Sequence, residues 1–163
     1  MDISRYLAKS GEKVDLAQWP TACDVDIDKK KVKEELLDQT ITEMQDLQEK
    51  LFADNHYGLV IVLQAMDAAG KDGTVKHVFA RLNPAGVKVQ SFKKPSSEEM
   101  DHDYMWRINK ALPGRGEIGI FNRSHYEEVV VARIHNLIKS DGMPEELVRK
   151  DIWERRYRQI RDW

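Results

Sequence analysis

Lys71 stands in "QAMDAAGKDGT", residues 64–74, with Asp67 and Asp72 on either side of it. A Gly-Lys pair where a strand runs into a helix offers free backbone N–H groups, the positive helix end and one point charge. Together these hold phosphate. The full phosphate-loop spelling is G-x-x-x-x-G-K-[ST]. Gly70 and Lys71 match it, Ala65 takes the first glycine position, and Asp72 replaces the hydroxyl residue. Two carboxylates would repel a phosphate chain, but a bound Mg2+ reverses the sign, because carboxylates and phosphate oxygens can share that ion. The loop is therefore expected to be a metal–phosphate site, with a carboxylate in place of Ser or Thr. The plain alternative is an ordinary strand-to-helix turn carrying surface charge.

A second cluster lies in "GIFNRSHYEEVVVARIH", residues 119–135. Asn122 ends an apolar run, where many phosphate-loop enzymes carry a metal-associated Asp. Arg123 follows and is placed to neutralise charge on a transferring phosphoryl group. Glu127 is expected either to cap a helix through Ser124 or to serve a metal or the chemistry. His125 could carry a proton, which transfer between anhydrides does not require. Arg133 is either a phosphate contact or an ion-pair partner for a nearby Glu. Lys93 and Lys94 end another apolar run, and Lys76, Arg81 and Arg107 add charge nearby. A basic track of this kind suits a long polyanion, although each cation singly reads as solvated surface.

These residues need elements to hold them. "GLVIVLQA", residues 58–65, is apolar on both faces and predicts a central strand of a parallel sheet. Residues 73–82 then read as helix, stopped by Asn83-Pro84. "GVKVQSF" predicts a second strand. Ser96 and Glu99 spell a capping box that opens a helix carrying Met100, Tyr104 and Ile108 on one face, up to Pro113. "EIGIF", residues 117–121, predicts a third strand, and Ser124 with Glu127 spells another capping box on a helix toward Ile138. After "SDGMP" a last helix starts at Pro144. Ahead of all these, Asp28 to Phe52 reads as a long helix. Its stripe is Val32, Leu36, Met44, Leu47 and Leu51, with a slip near Ile41, and Asn55 and Gly58 end it. Strands alternating with helices predict a doubly wound, three-layer α/β/α core. Ligands of such sheets sit at the carboxyl ends of the strands. The loops after Ala65 and Phe121 then share one rim.

The chain of 163 residues suffices for one domain, and its 33% charged residues suit a globular protein with a charged surface. The formal net charge of −2 gives no whole-chain nucleic-acid signature. Cys23 is the only cysteine, so no internal disulfide forms and no Cys/His metal spacing exists. No apolar run approaches the ~20 residues that span a bilayer. The N-terminus lacks the apolar stretch of a signal peptide, so a cytoplasmic location is expected. The expected organisation is one domain, with an extension at 1–27, a leading helix at 28–54 and an α/β core at 58–163. Trp153 and Tyr157 suit a homo-oligomer contact as well as a core.

"QAMDAAGKDGTVKHV", "SFKKPSSEEMDHDYMWR" and "GEIGIFNRSHYEEVVVARIH" resemble the polyphosphate kinase 2 family from about residue 30 onward. The Asn at the strand end resembles its class III subgroup. The resemblance implies a phosphate-loop kinase fold that moves phosphoryl groups from inorganic polyphosphate to AMP and ADP, giving ATP, with Mg2+. It implies that Lys71 and the amides of Ala68, Ala69, Gly70, Asp72 and Gly73 bind phosphate. Asp67 would be the essential acid, holding Mg2+ or orienting the acceptor phosphate. Arg123 and Arg133 would contact phosphates, and Lys76 would line the polyphosphate path. Asn122 departs from the commoner Asp at a metal position, and Glu127 would supply the missing carboxylate. Family members continue past "ERRYRQIRDW" into further strands and a basic helical lid. This stretch alone is accordingly expected to be an incomplete core, weakly active or inactive. The remaining readings are a nucleotide kinase that uses ATP and a non-catalytic phosphate-binding module.

Overall fold

The structure, a computed structural model, describes residues 4–20, 22, 28, 32, 36–139 and 143–163. Contacts group the chain into two units, Met1–Asp38 and Gln39–Trp163. The first holds a short 3-10 turn, Ser4–Tyr6, and a turn in which Asp15 accepts the Ala17 N–H at 3.1 Å. Cys23 and much of the expected helix before residue 37 lie outside the described residues. Within that stretch the Val32 N–H donates to the Asp28 carbonyl at 2.9 Å, one helical hydrogen bond.

The second unit is built on three strands, β1 (Leu59–Leu63), β2 (Val87–Ser91) and β3 (Ile118–Asn122). All pairs are parallel and the order is β1-β3-β2. Among the described strands the central place belongs to β3, not to β1 as the hydropathy of 58–65 suggested. Ile118, Gly119, Ile120 and Phe121 are all buried, whereas Leu59 is 46% exposed. An apolar run shows that a strand can be covered on both faces. Which neighbours it pairs with depends on segments far away in sequence.

Side chains alternate across the sheet. On one face Ile118 and Ile120 pack with Leu82, Ile61, Leu63 and Phe79. Here α1 (Leu37–Asp54) lays Met44 and Leu51. On the other face Phe121 meets Phe92 edge-on, ring centroids 5.0 Å apart, and packs with Met105, Ile108, Val60 and Val62. Helical layers therefore cover both faces, the three-layer arrangement expected.

The buried stripe of α1 differs from the one read in sequence. Ile41 and Gln48 are buried, while Leu47 is 62% exposed. Gln48 belongs there because its amide exchanges two hydrogen bonds with the Asn83 backbone, donating to the carbonyl and accepting the N–H, each 2.8 Å. A buried amide so paired costs little. Asn55, in the left-handed region at φ 51°, donates to Leu51 and ends the helix as expected.

The other expected helices are shorter and broken. The helix after the first loop begins at Lys71 (α2, Lys71–Thr74) and continues as a π turn, Val75–Phe79. The Ser96–Glu99 capping box forms, at 3.2 and 2.7 Å. Its helix stops after α3 (Ser97–Met100), and α4 (Trp106–Lys110) resumes, with Asp103 accepting the Met105 N–H between them. The segment toward Ile138 comprises 3-10 turns around α5 (Val131–Ile134). Pro144 leads only into a 3-10 turn, and the last helix is α6 (Ile152–Asp162). No helix among the described residues is long and apolar enough to cross a membrane.

Candidate active site

Register alone puts three strand ends side by side, because Leu63 and Ser91 both pair with Asn122. The Arg123 N–H donates to Leu63 and the Phe92 N–H to Asn122, each at 3.0 Å, extending the ladder to the rim. A cavity of about 800 Å³ opens there. Asp67, Ala68, Ala69, Gly70, Lys71, Asp72 and Gly73 line it on one side, with Lys93, Asn122, Arg123 and Glu127 across from them. Two nominated residues are not in its lining. Lys76 is exposed on the π turn. Arg133 donates to the Tyr157 hydroxyl, with its guanidinium 5.8 Å from that ring.

The first loop bends through two left-handed residues, Ala68 at φ 60° and Gly70 at φ 92°. Gly70 precedes α2 without a side-chain cap. First-turn amides of a helix have no carbonyl partner within it, and a side chain usually supplies one. Lys71 curls back so that Nζ donates to the carbonyls of Ala65 and Met66, each at 2.8 Å.

Arg123 ties the two loops together from a left-handed backbone, φ 67°. Its Nη2 donates to Asp67 Oδ1 at 2.6 Å and its Nη1 to Glu127 Oε2 at 3.3 Å. Partial burial works against its charge, but the Asp67 hydrogen bond and the Glu127 and Asp67 charges outweigh this and hold its pKa above the ordinary guanidinium value. Glu127 is held further by Gln64, whose Nε2 donates to Oε1 at 2.6 Å. Ser124 donates to the Gln64 amide oxygen at 3.2 Å. The second capping box is therefore not made. Ser124 does accept the Tyr126 N–H at 3.2 Å, but the Glu127 carboxylate turns to Gln64 and Arg123. Asn122 Nδ2 donates to Asp72 Oδ1 at 2.5 Å.

The aspartates beside Lys71 thus have protein partners, Asp67 in Arg123 and Asp72 in Asn122. Among the described residues no group of three or more His, Cys, Asp or Glu is arranged to hold a metal. An ion caged wholly by protein does not fit. Mg2+ needs only one or two carboxylates when it also takes phosphate oxygens and keeps its waters. The Asp67 side chain, 86% exposed, fits that demand.

Sequence reasoning missed Gln64, whose signal was a polar residue closing an apolar run. It also missed the charge that Arg156 places behind the cavity. Arg156, 2% exposed, donates Nη1 to the Glu128 carbonyl at 2.9 Å and lies 3.4 Å from its carboxylate. Arg107, 8% exposed, is buried, not surface charge.

The chain is similar to known proteins over most of its length. Residues 26–162 match the family described as polyphosphate kinase 2. An ADP-polyphosphate phosphotransferase of Rhodopseudomonas palustris is 47% identical over 160 residues, covering 97% of this chain and 55% of the relative. An AMP/ADP-polyphosphate phosphotransferase of Meiothermus ruber is 45% identical over 120 residues, covering 74% and 41%. The crystal structure of polyphosphate kinase 2 from Arthrobacter aurescens superposes with a TM-score of 0.74 at 37% identity, covering 95% of this chain and 52% of that one. The chain thus spans about half the length of these relatives. The matched span takes in both loops of the cavity, and the chain belongs to the polyphosphate kinase 2 family.

Proposed function

We propose that the protein carrying this chain transfers phosphoryl groups from inorganic polyphosphate to nucleoside mono- and diphosphates, AMP to ADP and ADP to ATP. The observation that carries this reading is the single cavity in which Lys71, Lys93 and Arg123 face one space with the Asp67 carboxylate. The names of the relatives support the donor and the acceptors.

Both reactants are polyanions, so the task is charge cancellation and alignment. A nucleotide phosphate oxygen attacks the terminal phosphorus of polyphosphate. The bond to the next phosphate breaks, and a chain one unit shorter leaves. Lys71 and the amides of Ala68 to Gly73 hold the phosphates of one reactant. Arg123 exchanges its carboxylate partners for phosphoryl oxygens as charge moves through the transfer. Glu127, fixed by Gln64, keeps Arg123 aimed into the cavity. Asp67 is the residue that would hold Mg2+, with Asn122 and Glu127 as neighbours, and the ion would supply positive charge to offset that of the phosphates. Lys93 extends the cationic track, and Lys76 and Arg133 stand outside the cavity lining.

The test supplies AMP or ADP, polyphosphate and Mg2+, and follows nucleotide products by chromatography. Phosphorylated nucleotide and shortened polyphosphate are expected, with no reaction in EDTA. Turnover with ATP as donor and none with polyphosphate would overturn the reading in favour of an ATP-dependent nucleotide kinase. Binding of polyphosphate without turnover would favour a non-catalytic module.

A further inference from the structure

Gln64, Glu127, Arg123 and Asp67 close a ring between the two loops. Gln64 Nε2 donates to Glu127 Oε1, Glu127 Oε2 accepts from Arg123 Nη1, and Arg123 Nη2 donates to Asp67. Backbone joins Gln64 to Asp67 along the first loop and Arg123 to Glu127 along the second. The two carboxylates are not alike. The Asp67 side chain is 86% exposed and that of Glu127 only 14%. Glu127 is thus the firmer support of Arg123, and a neighbour without charge holds it in place.

An amide has a donor end and an acceptor end, and Ser124 fixes which end faces Glu127. Ser124 is fully buried. Its Oγ accepts the Tyr126 N–H at 3.2 Å, and its one O–H donates to Gln64 Oε1, also at 3.2 Å. Nε2 is then turned to Glu127 at 2.6 Å. The reverse orientation would set Oε1 against the Glu127 carboxylate, oxygen to oxygen, with no proton between them. A carboxylate at position 64 would do the same whenever it is ionised. Neither Gln64 nor Ser124 is in the cavity lining, so both act through Glu127 and Arg123.

We propose that Gln64 and Ser124 are positioning residues for phosphoryl transfer. The fixed direction of their hydrogen bonds holds Glu127, and through it the Arg123 guanidinium, and the site therefore requires an amide rather than a carboxylate at position 64. This inference rests on the phosphotransferase reading above. Neither residue touches a reactant, so the effect falls on the aim of Arg123 as charge moves, and on kcat more than on KM.

The experiment measures nucleotide phosphorylation by polyphosphate with Mg2+, from about pH 5.5 to about pH 8.5, in the protein carrying this chain and in its Gln64→Met, Gln64→Glu and Ser124→Ala variants. Gln64→Met keeps the side-chain length and removes the donor, so kcat should fall about tenfold or more with KM changed less than about threefold. Ser124→Ala should lose less, because Gln64 still reaches Glu127. In Gln64→Glu the new carboxyl faces Glu127, with Arg123 and Asp67 next in the ring and the Lys71 ammonium on the neighbouring Ala65 carbonyl. A carboxylate that close raises the pKa of one member of the pair. Protonated, the new carboxyl donates to Glu127 as the amide does; ionised, it repels it. Activity of Gln64→Glu relative to wild type should therefore fall as pH rises, by about tenfold or more across this range. That ratio carries the test if Gln64→Met does not fold. Wild-type kcat in Gln64→Met or in Ser124→Ala, or a Gln64→Glu ratio that is the same at every pH, would overturn the proposal. Wild-type protein without turnover would instead defeat the phosphotransferase reading itself.

Discussion

Arg123 and Asp67, 56 residues apart in sequence, meet at 2.6 Å across the mouth of the cavity. The pair closes the space between two loops that leave neighbouring strands. It is largely solvent-exposed, so its stabilising effect is small, about 0–1 kcal/mol. Asp67→Asn and Arg123→Ala should each leave the unfolding midpoint nearly unchanged. Each should lower polyphosphate-dependent nucleotide phosphorylation by about 10²-fold or more. Activity within a few-fold of wild type in either variant would remove that residue from the chemistry.

Lys71 holds no carboxylate; its ammonium rests on the carbonyls of Ala65 and Met66. Ala65 and Met66 are exposed residues, so water can replace the ammonium there. Lys71→Ala is therefore expected to abolish turnover while changing stability by less than about 1 kcal/mol. Circular dichroism and urea titration check the fold, and a coupled ATP assay checks the activity. A loss of stability comparable to a core truncation would mean that Lys71 is structural.

Arg156 presents the opposite case, a charge buried against Glu128 between the Tyr104 and Trp153 rings. Removing one partner of a buried pair leaves the other uncompensated, at a cost of roughly 3–5 kcal/mol. Arg156→Leu should show that loss in urea unfolding. A cost under about 1 kcal/mol would mean that Glu128 is compensated by another group, as by Arg107 at 3.8 Å.

His125 is 3% exposed, between the rings of Tyr126 and Trp163, and its Nδ1 has no hydrogen-bond partner among the described residues. Burial lowers its pKa below the ordinary 6.5. The folded state therefore prefers the neutral ring. The stability this contributes is fully present above pH ~6.5 and is lost as pH falls toward the folded-state pKa, by at most about 1.4 kcal/mol per pH unit. His125→Phe keeps an aromatic ring and cannot titrate, so its stability should fall less steeply in that window. Equal slopes for wild type and variant, measured by urea unfolding at several pH values, would exclude His125 as the source.

Much of the site was legible before folding because it is local. The Gly70-Lys71 pair, the strand before it and the helix after it lie within one short stretch, and their geometry follows from the backbone. Three strands and their shared rim followed from hydropathy and the βα alternation. Helix lengths did not, because capping signals such as Ser96–Glu99 mark where a helix starts and packing decides how far it runs. Ser124 and Glu127 carry the same signal, yet Glu127 is taken by Gln64 and Arg123 from outside the motif.

The sequence by itself determined that acidic and basic side chains crowd a Gly-Lys turn at the end of an apolar strand. Only the tertiary structure decided which charge meets which. Asp67 went to Arg123, Asp72 to Asn122, and Lys71 to backbone carbonyls. The physical reason is that local spacing fixes where a side chain leaves the backbone. Its partner is set by strand order and register, which place Leu63, Asn122 and Ser91 in one row although they are far apart in the chain.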